Sequence, residues 1–160
     1  MDYNSLKSNA FNFTLNRLPN TSFHVVQCNI PSIMVPPPEQ GHPQAPQYFP
    51  GSATEYTSFN MSFIVDENLS NYEEIYNWIM QQRFAEPYTA TTTENRFLVS
   101  DGILVTLTNS SNKNRTFMFR DMFPISVSEI NFDTRDSIIE PVICSVEFRF
   151  SEFSLLPKTV

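Results

Sequence analysis

The chain has 160 residues, a net charge of −7 and 41% hydrophobic residues, which is enough apolar material for a core and excludes global disorder. No apolar run approaches the roughly 18 residues of a membrane-spanning helix. The sequence also has no cluster of basic residues that would bind a nucleic-acid backbone. The length predicts one domain over residues 1–160, with no membrane partner.

Apolar residues recur at every second position in several segments, a period typical of strands with one face on a core. The clearest run places five residues on one face: Val142, Cys144, Val146, Phe148 and Phe150. Similar runs begin at Phe11, Phe59 and Phe117, and a further run is expected to direct Ile103, Val105 and Leu107 to the core. Turn-forming clusters separate the runs, including one at residues 18–21. The pattern predicts a mainly β fold, an antiparallel β-sandwich or barrel.

One segment departs from this period and predicts a helix over residues 71–82. Ser70 and Glu73 have the spacing of a capping box, and Pro87 blocks continuation beyond the segment. An apolar stripe then follows at helical spacing, which a helix of about three turns must lay on the strands to be stable. The residues expected to dock this helix are Tyr72, Ile75, Tyr76, Trp78 and Ile79.

A second exception is a proline-rich segment, residues 30–51, which we call the arm. It holds seven of the twelve prolines and is longer than an ordinary loop in a compact domain. Two interpretations are open: a surface loop packed on its own domain, or an extension that packs on a neighbouring subunit. We favour the second, because stiff segments lose little entropy on docking. The expected inter-subunit residues are Ile33, Met34, Val35, Pro36, Tyr48 and Phe49.

Groups that carry catalysis are sparse in this sequence. His24 and His42 are the only histidines, and neither has a partner at metal-ligand spacing. The acid pairs at 66–67 and 73–74 are explained by a strand end and a helix start. The two cysteines are interpreted as small buried residues. No phosphate loop or nucleophile elbow is present. We therefore predict no enzyme activity, no catalytic residues, no metal site and no cofactor.

The order of these elements is informative. A Phe-rich strand is followed by a strand ending at Ile30, the arm closing at Gly51, a strand ending in acids over residues 59–67, and a helix with a late Trp78. A proline-led strand, a turn and a final alternating strand complete the chain. This succession resembles the tail tube proteins of contractile-tailed, T-even-type bacteriophages, including the related tube-end and baseplate proteins of that fold. The resemblance covers residues 11–85 and 117–155, and residues 59–79 are its most specific part.

The resemblance implies a tail-tube-like β-sandwich or barrel with one flanking α-helix and a long Pro-rich arm. It implies a structural virion protein whose copies form stacked hexameric rings around a channel for DNA passage. The implied partners are further copies of this chain and the tail sheath, baseplate or neck proteins, with DNA passing through without specific binding. The implied location is the tail of the virion, assembled in the host cytoplasm.

Two alternatives to a main tube subunit remain. The first is a tube-end protein, either a baseplate tube initiator or a neck tail-completion protein. The second is a β-sandwich module that binds carbohydrate or a receptor, for which Tyr48 and Tyr88 are candidate loop aromatics. Most aromatics fall on the core phase, which weighs against an exposed sugar platform.

Overall fold

A computed structural model describes residues 5–40, 47–83, 98–134 and 140–157; Tyr88 and His42 lie outside the described residues. The fold is mainly β, as the alternation predicted, with two helices among the described elements. In chain order the elements are β1 (Phe11–Leu15), α1 (Pro19–Phe23), β2 (Val25–Cys28), β3 (Ile33–Met34), β4 (Glu39–Gln40), β5 (Gln47–Tyr48), β6 (Glu55–Tyr56), β7 (Phe59–Ile64), α2 (Ser70–Arg83), β8 (Ser100–Leu107), β9 (Lys113–Val127), β10 (Ile143–Arg149) and β11 (Glu152–Leu155).

The strands form one antiparallel path in the order β1-β8-β9-β10-β7-β2, with β11 paired to β9. The long strand β9 belongs to two sheets, because its first half pairs with β8 and β11 and its second half pairs with β10. We call β1, β8, β11 and the first half of β9 the first sheet. The second half of β9, β10, β7 and β2 make up the second sheet.

Strand β9 changes sheets through two irregularities. At the first, the register with β8 shifts and Asp121 takes a left-handed conformation with φ of 52°, its N–H donating to Asp101 Oδ1 at 3.1 Å. At the second, Pro124 pairs with Phe148 next to a register shift in β10. Proline has no N–H to give to a ladder, so it is tolerated at such a bulge. These two sites let one continuous strand serve both sheets.

The core lies between the two sheets, and phenylalanine is the most frequent residue in it. Phe59 on β7 is fully buried, and its ring centroid lies 4.9 Å from that of Phe13 on β1 and 5.0 Å from that of Phe119 on β9. Phe148 on β10 lies 6.2 Å from the same ring. The contacts of Phe59 with Phe13 and Phe119 join strands that do not pair, so they hold the sheets face to face.

In β8 the core-facing residues differ from the sequence prediction. Gly102, Leu104 and Thr106 are buried, whereas Ile103 is 38% exposed and lies on the opposite face. The register with β1 decides which face of β8 is buried, because Leu104 pairs with the buried Phe13. A Cβ at Gly102 would overlap the sulfur of Met122, so a larger residue there would displace the Met122 side chain. The expected core run Ile103, Val105 and Leu107 was therefore wrong by one residue, because β8 has apolar side chains on both faces.

The helices also differ in detail from the prediction. Helix α2 is one residue longer at each end than the expected 71–82. Its first turn is closed by the Glu73 N–H donating to the Leu69 carbonyl at 2.8 Å, which puts Leu69 rather than Ser70 at the N-cap. Helix α1 (Pro19–Phe23) begins within residues 18–21, where a turn was expected, so the described part of the chain has a second short helix. Its proline occupies the first turn, where a missing N–H costs nothing.

A buried asparagine joins the end of β7 to the start of α2. The Asn71 side chain accepts from the Asp66 N–H at 3.2 Å and donates to the Ile64 carbonyl at 2.8 Å. Its own carbonyl accepts from the hydroxyl of Thr21, and Glu74 accepts from the same hydroxyl at 3.1 Å. Helix α2 is thereby tied both to the sheet and to α1.

Substituting Asn71 by alanine is expected to lower the free energy of unfolding by about 1–3 kcal/mol, because two buried backbone groups lose their partner. Urea denaturation followed by circular dichroism measures the change. The matched control is Asn77→Ala, since Asn77 is exposed on the same helix and should change stability by no more than about 0.5 kcal/mol. Equal effects of the two substitutions would show that the Asn71 contacts do not matter.

Candidate assembly surface

The arm is a hairpin built from two short ladders outside the main sheet. Strand β3 pairs with β6, so that Ile33 faces Tyr56, and β4 pairs with β5. Two further backbone hydrogen bonds run along it, from the Thr57 N–H to the Ser32 carbonyl at 3.2 Å and from the Phe49 N–H to the Pro38 carbonyl at 3.3 Å. The segment is thus an ordered projection, and residues 41–46 lie outside the described part of the chain.

The apolar side chains predicted for the arm lie at its surface. Tyr48 is 64% exposed and Ile33 and Met34 are each 58% exposed, whereas the hydrophobic core is buried. Val35 and Phe49 are also exposed, and Pro36 is half-buried. Exposed apolar residues gathered on one projecting element are typical of a surface that packs on another chain.

Two sets of contacts hold the base of the arm, one within the arm and one on the body. A Cβ at Gly51 would overlap the backbone carbonyl oxygen of Pro36, so the two sides of the arm meet in van der Waals contact that only glycine permits. On the body side, the ring of Tyr56 lies 5.6 Å from that of Phe150 and 5.7 Å from that of Phe153. These contacts set the direction in which the arm leaves the sheets.

Substituting Gly51 by alanine is expected to separate the two sides of the arm while the body stays folded. Hydrogen exchange read by NMR should show the Phe49 amide losing protection at least tenfold, while amides of β7 keep theirs. Ser52→Ala is the control, because Ser52 is exposed and adjacent. Unchanged protection at Phe49 in the Gly51 variant would contradict the close contact.

The residues predicted to dock α2 divide into three groups. Ile75 and Trp78 are buried, and the Trp78 indole donates to the Leu98 carbonyl at 2.6 Å. Tyr72 and Ile79 are half-buried against the core. Tyr76 is 46% exposed and was wrongly placed in the docking face, because about 100° of rotation per residue turns it roughly 160° away from Trp78.

The sequence reasoning missed an arginine that covers the helix. The guanidinium of Arg17, in the turn after β1, lies 4.9 Å from the centroid of the Trp78 ring and hydrogen-bonds to Gln81. Burial lowers the pKa of Arg17 from its ordinary value. The residue precedes a proline-containing turn and belongs to no periodic run, so no sequence pattern marked it.

His24 Nδ1 lies 3.0 Å from the Asn20 carbonyl oxygen, a local contact within one turn of chain. No group of three His, Cys, Asp or Glu among the described residues could hold a metal ion. A cleft of about 330 Å³ between β1 and α1 has no titratable residue in its lining. Among the described helices none is long and apolar enough to cross a membrane.

The two cysteines lie on the strands that flank β7. Cys28 pairs in register with Met61 and Cys144 with Phe63, and both thiols are free. Burial raises the pKa of Cys28 to about 11. The neutral thiol is therefore the form present at physiological pH.

Alkylation of Cys28 by iodoacetamide at pH 8 is expected to be roughly two hundredfold slower in the folded protein than in the chain unfolded by guanidinium. The reason is the small thiolate fraction, which rises about tenfold per pH unit until the raised pKa is reached. Peptide mass spectrometry over a pH series measures the rate. A folded rate equal to the unfolded one at pH 8 would contradict the burial.

Comparison with solved structures identifies the fold. One chain of the cryo-EM structure of the anti-feeding prophage baseplate, 6-fold symmetrised, matches with a TM-score of 0.68 at 12% identity, covering 98% of this chain and 97% of that one. The arrangement is the tail-tube fold. The predicted resemblance is thus confirmed at the level of fold.

Two further structures of the same kind match almost as well. One is a chain of an extracellular contractile injection system, from the PVC sheath–tube complex in its extended state. It matches with a TM-score of 0.65 at 11% identity, covering 96% of this chain and 93% of that one. A chain of the tube-terminating cap of the anti-feeding prophage matches with a TM-score of 0.65 at 12% identity, covering 98% of this chain and 93% of that one. No protein-family model matches the sequence, and no curated protein matches it significantly.

Proposed function

We propose that this chain is a structural subunit of a contractile tail, acting as one domain whose copies close into hexameric rings that stack into a tube. The observation that carries the proposal is the match over nearly the whole length of both chains to a component of a sixfold-symmetrised baseplate. Shared architecture alone leaves function open. The surface of this chain supplies the second argument.

Two features of the surface favour assembly. The strand path ends in β1 and β2, each with one side that no described strand pairs. Such edges pair with other chains unless protected, and two different edges on one subunit permit a closed head-to-tail ring. The exposed apolar residues of the arm then supply contacts to a neighbouring subunit, since aliphatic and aromatic anchors dominate interface energies.

The proposed role needs no catalytic group and no cofactor. The partners are copies of the same chain, the sheath, and baseplate or neck proteins, within the tail of a phage or phage-like particle assembled in the host cytoplasm. The net charge of −7 suits a bore through which DNA passes without specific binding, because like charges repel at short range.

A second candidate, a tube-end protein, is favoured by two of the matches. One belongs to a baseplate and another to a tube-terminating cap. A main tube subunit forms long stacks when purified alone, whereas an end protein forms single rings that stack only on a partner. Negative-stain electron microscopy of the purified chain distinguishes the two.

Deleting residues 35–46 is expected to leave a folded monomer that no longer assembles, because the core residues lie outside the arm. Size-exclusion chromatography with light scattering gives the mass, and circular dichroism checks the fold. Rings or tubes formed by the shortened chain would contradict the role of the arm. A wild-type monomer with affinity for glycans would instead support the carbohydrate-binding module.

A single substitution tests how much one arm side chain contributes to assembly. Tyr48→Ser should weaken assembly at least tenfold in subunit concentration, because it removes an exposed aromatic anchor from the arm. Tyr76→Ser is the matched control, since Tyr76 is also exposed but lies on the outer side of α2. Neither substitution should change the melting temperature appreciably. Equal effects of the two on assembly would count against the arm.

A further inference from the structure

An apolar cleft opens at the end of β7, where the turn into α2 meets the loop after β9. Its volume is about 210 Å³, and its apolar lining includes Val65, Leu69 and Val142 with Ile130 and Phe132 from that loop. Phe132 is 79% exposed, more than any other large hydrophobic described. We call this region the cleft end of the subunit.

Acidic residues surround the cleft. Asp66 and Glu67 belong to its lining, and Glu129 and Glu140 flank it as exposed side chains. The described residues that form this end, 65–69, 128–134 and 140–142, contain five acids and no base. The cleft end therefore combines an unpartnered apolar surface with strong negative charge.

The far end of the first sheet has the opposite charge. Lys113 and Arg115 follow the β8–β9 turn, and Lys7 joins them because the Leu107 N–H donates to the Ala10 carbonyl at 2.9 Å. Segments 5–10, 108–115 and 154–157, which meet there, contain three bases and no acid. Exposed apolar side chains accompany the bases: Leu6, Leu155 and Leu156. We call this region the basic end.

The arm and the basic end lie on the same side of the subunit. The chain passes from the arm through β6 into β7 at Phe59, the end of that strand remote from the cleft. Strand β6, which pairs with β3 of the arm, carries Tyr56. The Tyr56 ring packs on Phe153 of β11, which in turn stacks on Phe117, two residues beyond Arg115. The basic end and the apolar arm are therefore both directed away from the cleft end.

Hydrogen bonds connect the cleft end to the end of the first sheet that lies opposite the basic end. The Leu15 N–H donates to the hydroxyl oxygen of Ser22 in α1 at 3.2 Å, and Leu15 pairs with Gly102 near the start of β8. Helix α1 is bonded through Thr21 to Asn71, whose side chain holds Asp66 beside the cleft. The two ends are thus on opposite sides in both sheets.

We propose that the cleft end binds the basic end and arm of a second copy of this chain, so that subunits stack head to tail. This rests on the proposed ring-forming function and specifies which surfaces join one ring to the next. Loops at strand ends form the two rims of a closed barrel, so the surfaces at the two ends of the strands face neighbouring rings. A single exposed ion pair contributes little, but contacts repeated around a ring add as a multivalent interaction.

Charge reversal at each end tests the proposal. Lys113→Glu with Arg115→Glu makes the basic end acidic, and Glu67→Lys with Glu129→Lys and Glu140→Lys makes the cleft end basic. Each of these two variants alone is expected to form rings that do not stack, because its two ends carry like charges. Mixed together they should stack again in alternation, since each acidic end then meets a basic one. Electron microscopy counts rings and tubes, and sedimentation measures their mass.

The control matched to the basic-end variant is Arg83→Glu with Arg120→Glu, which lowers the net charge by the same amount away from both ends and should leave stacking intact. Stacking by either charge-reversed variant alone, or no recovery in the mixture, would overturn the proposal while leaving ring formation standing. Wild-type rings that never stack would overturn it in the same way. A wild-type protein that forms no rings would overturn the proposed function itself.

Phe132→Ser tests the apolar part of the contact separately. The side chain is so exposed that its loss should leave the melting temperature unchanged, yet stacking should weaken at least tenfold in subunit concentration. Unchanged stacking would show that the neighbouring copy does not bind at the cleft.

Discussion

Packing of the two sheets around Phe59 is the interaction on which the rest of the molecule depends. Its ring contacts rings from β1, β9 and β10, strands that belong to both sheets. Burying a phenylalanine of this kind contributes about 3–5 kcal/mol, a large part of the stability of a small domain. Helix α2 adds to the same cluster, because the Trp78 ring lies 6.0 Å from that of Phe148. The core therefore orients the sheets, the helix and the base of the arm together.

The apolar residues of the chain divide into two sets with different uses. The period-two residues of the main strands fill the space between the sheets and are shielded from water. The apolar residues of the arm and of the cleft end stay exposed, although burying them would favour the folded state. In the proposed assembly such residues are kept for neighbouring subunits, and this would account for the exposure of Tyr48 and Phe132.

The subunit has two unlike ends, and this asymmetry follows from strand direction. Strand β9 begins beside Lys113 and ends beside Glu129, so one continuous strand separates the basic end from the acidic cleft. Unlike ends favour heterologous contacts, in which every copy repeats the same orientation. Directional stacking is what a tube with distinct tip and neck partners requires.

The sequence by itself determined the strands, the helix and the arm, because period-two and helical spacing and a run of prolines leave local signals in the chain. It did not determine the face of β8, where Ile103 and Leu104 are both apolar and only pairing with β1 decides which is buried. Nor did it reveal Asn71 or Arg17, whose partners are contributed by other elements. The cleft and its basic counterpart arise where distant loops meet. Contacts of that kind exist only once the sheets have packed, so the tertiary structure alone decided the candidate assembly surfaces.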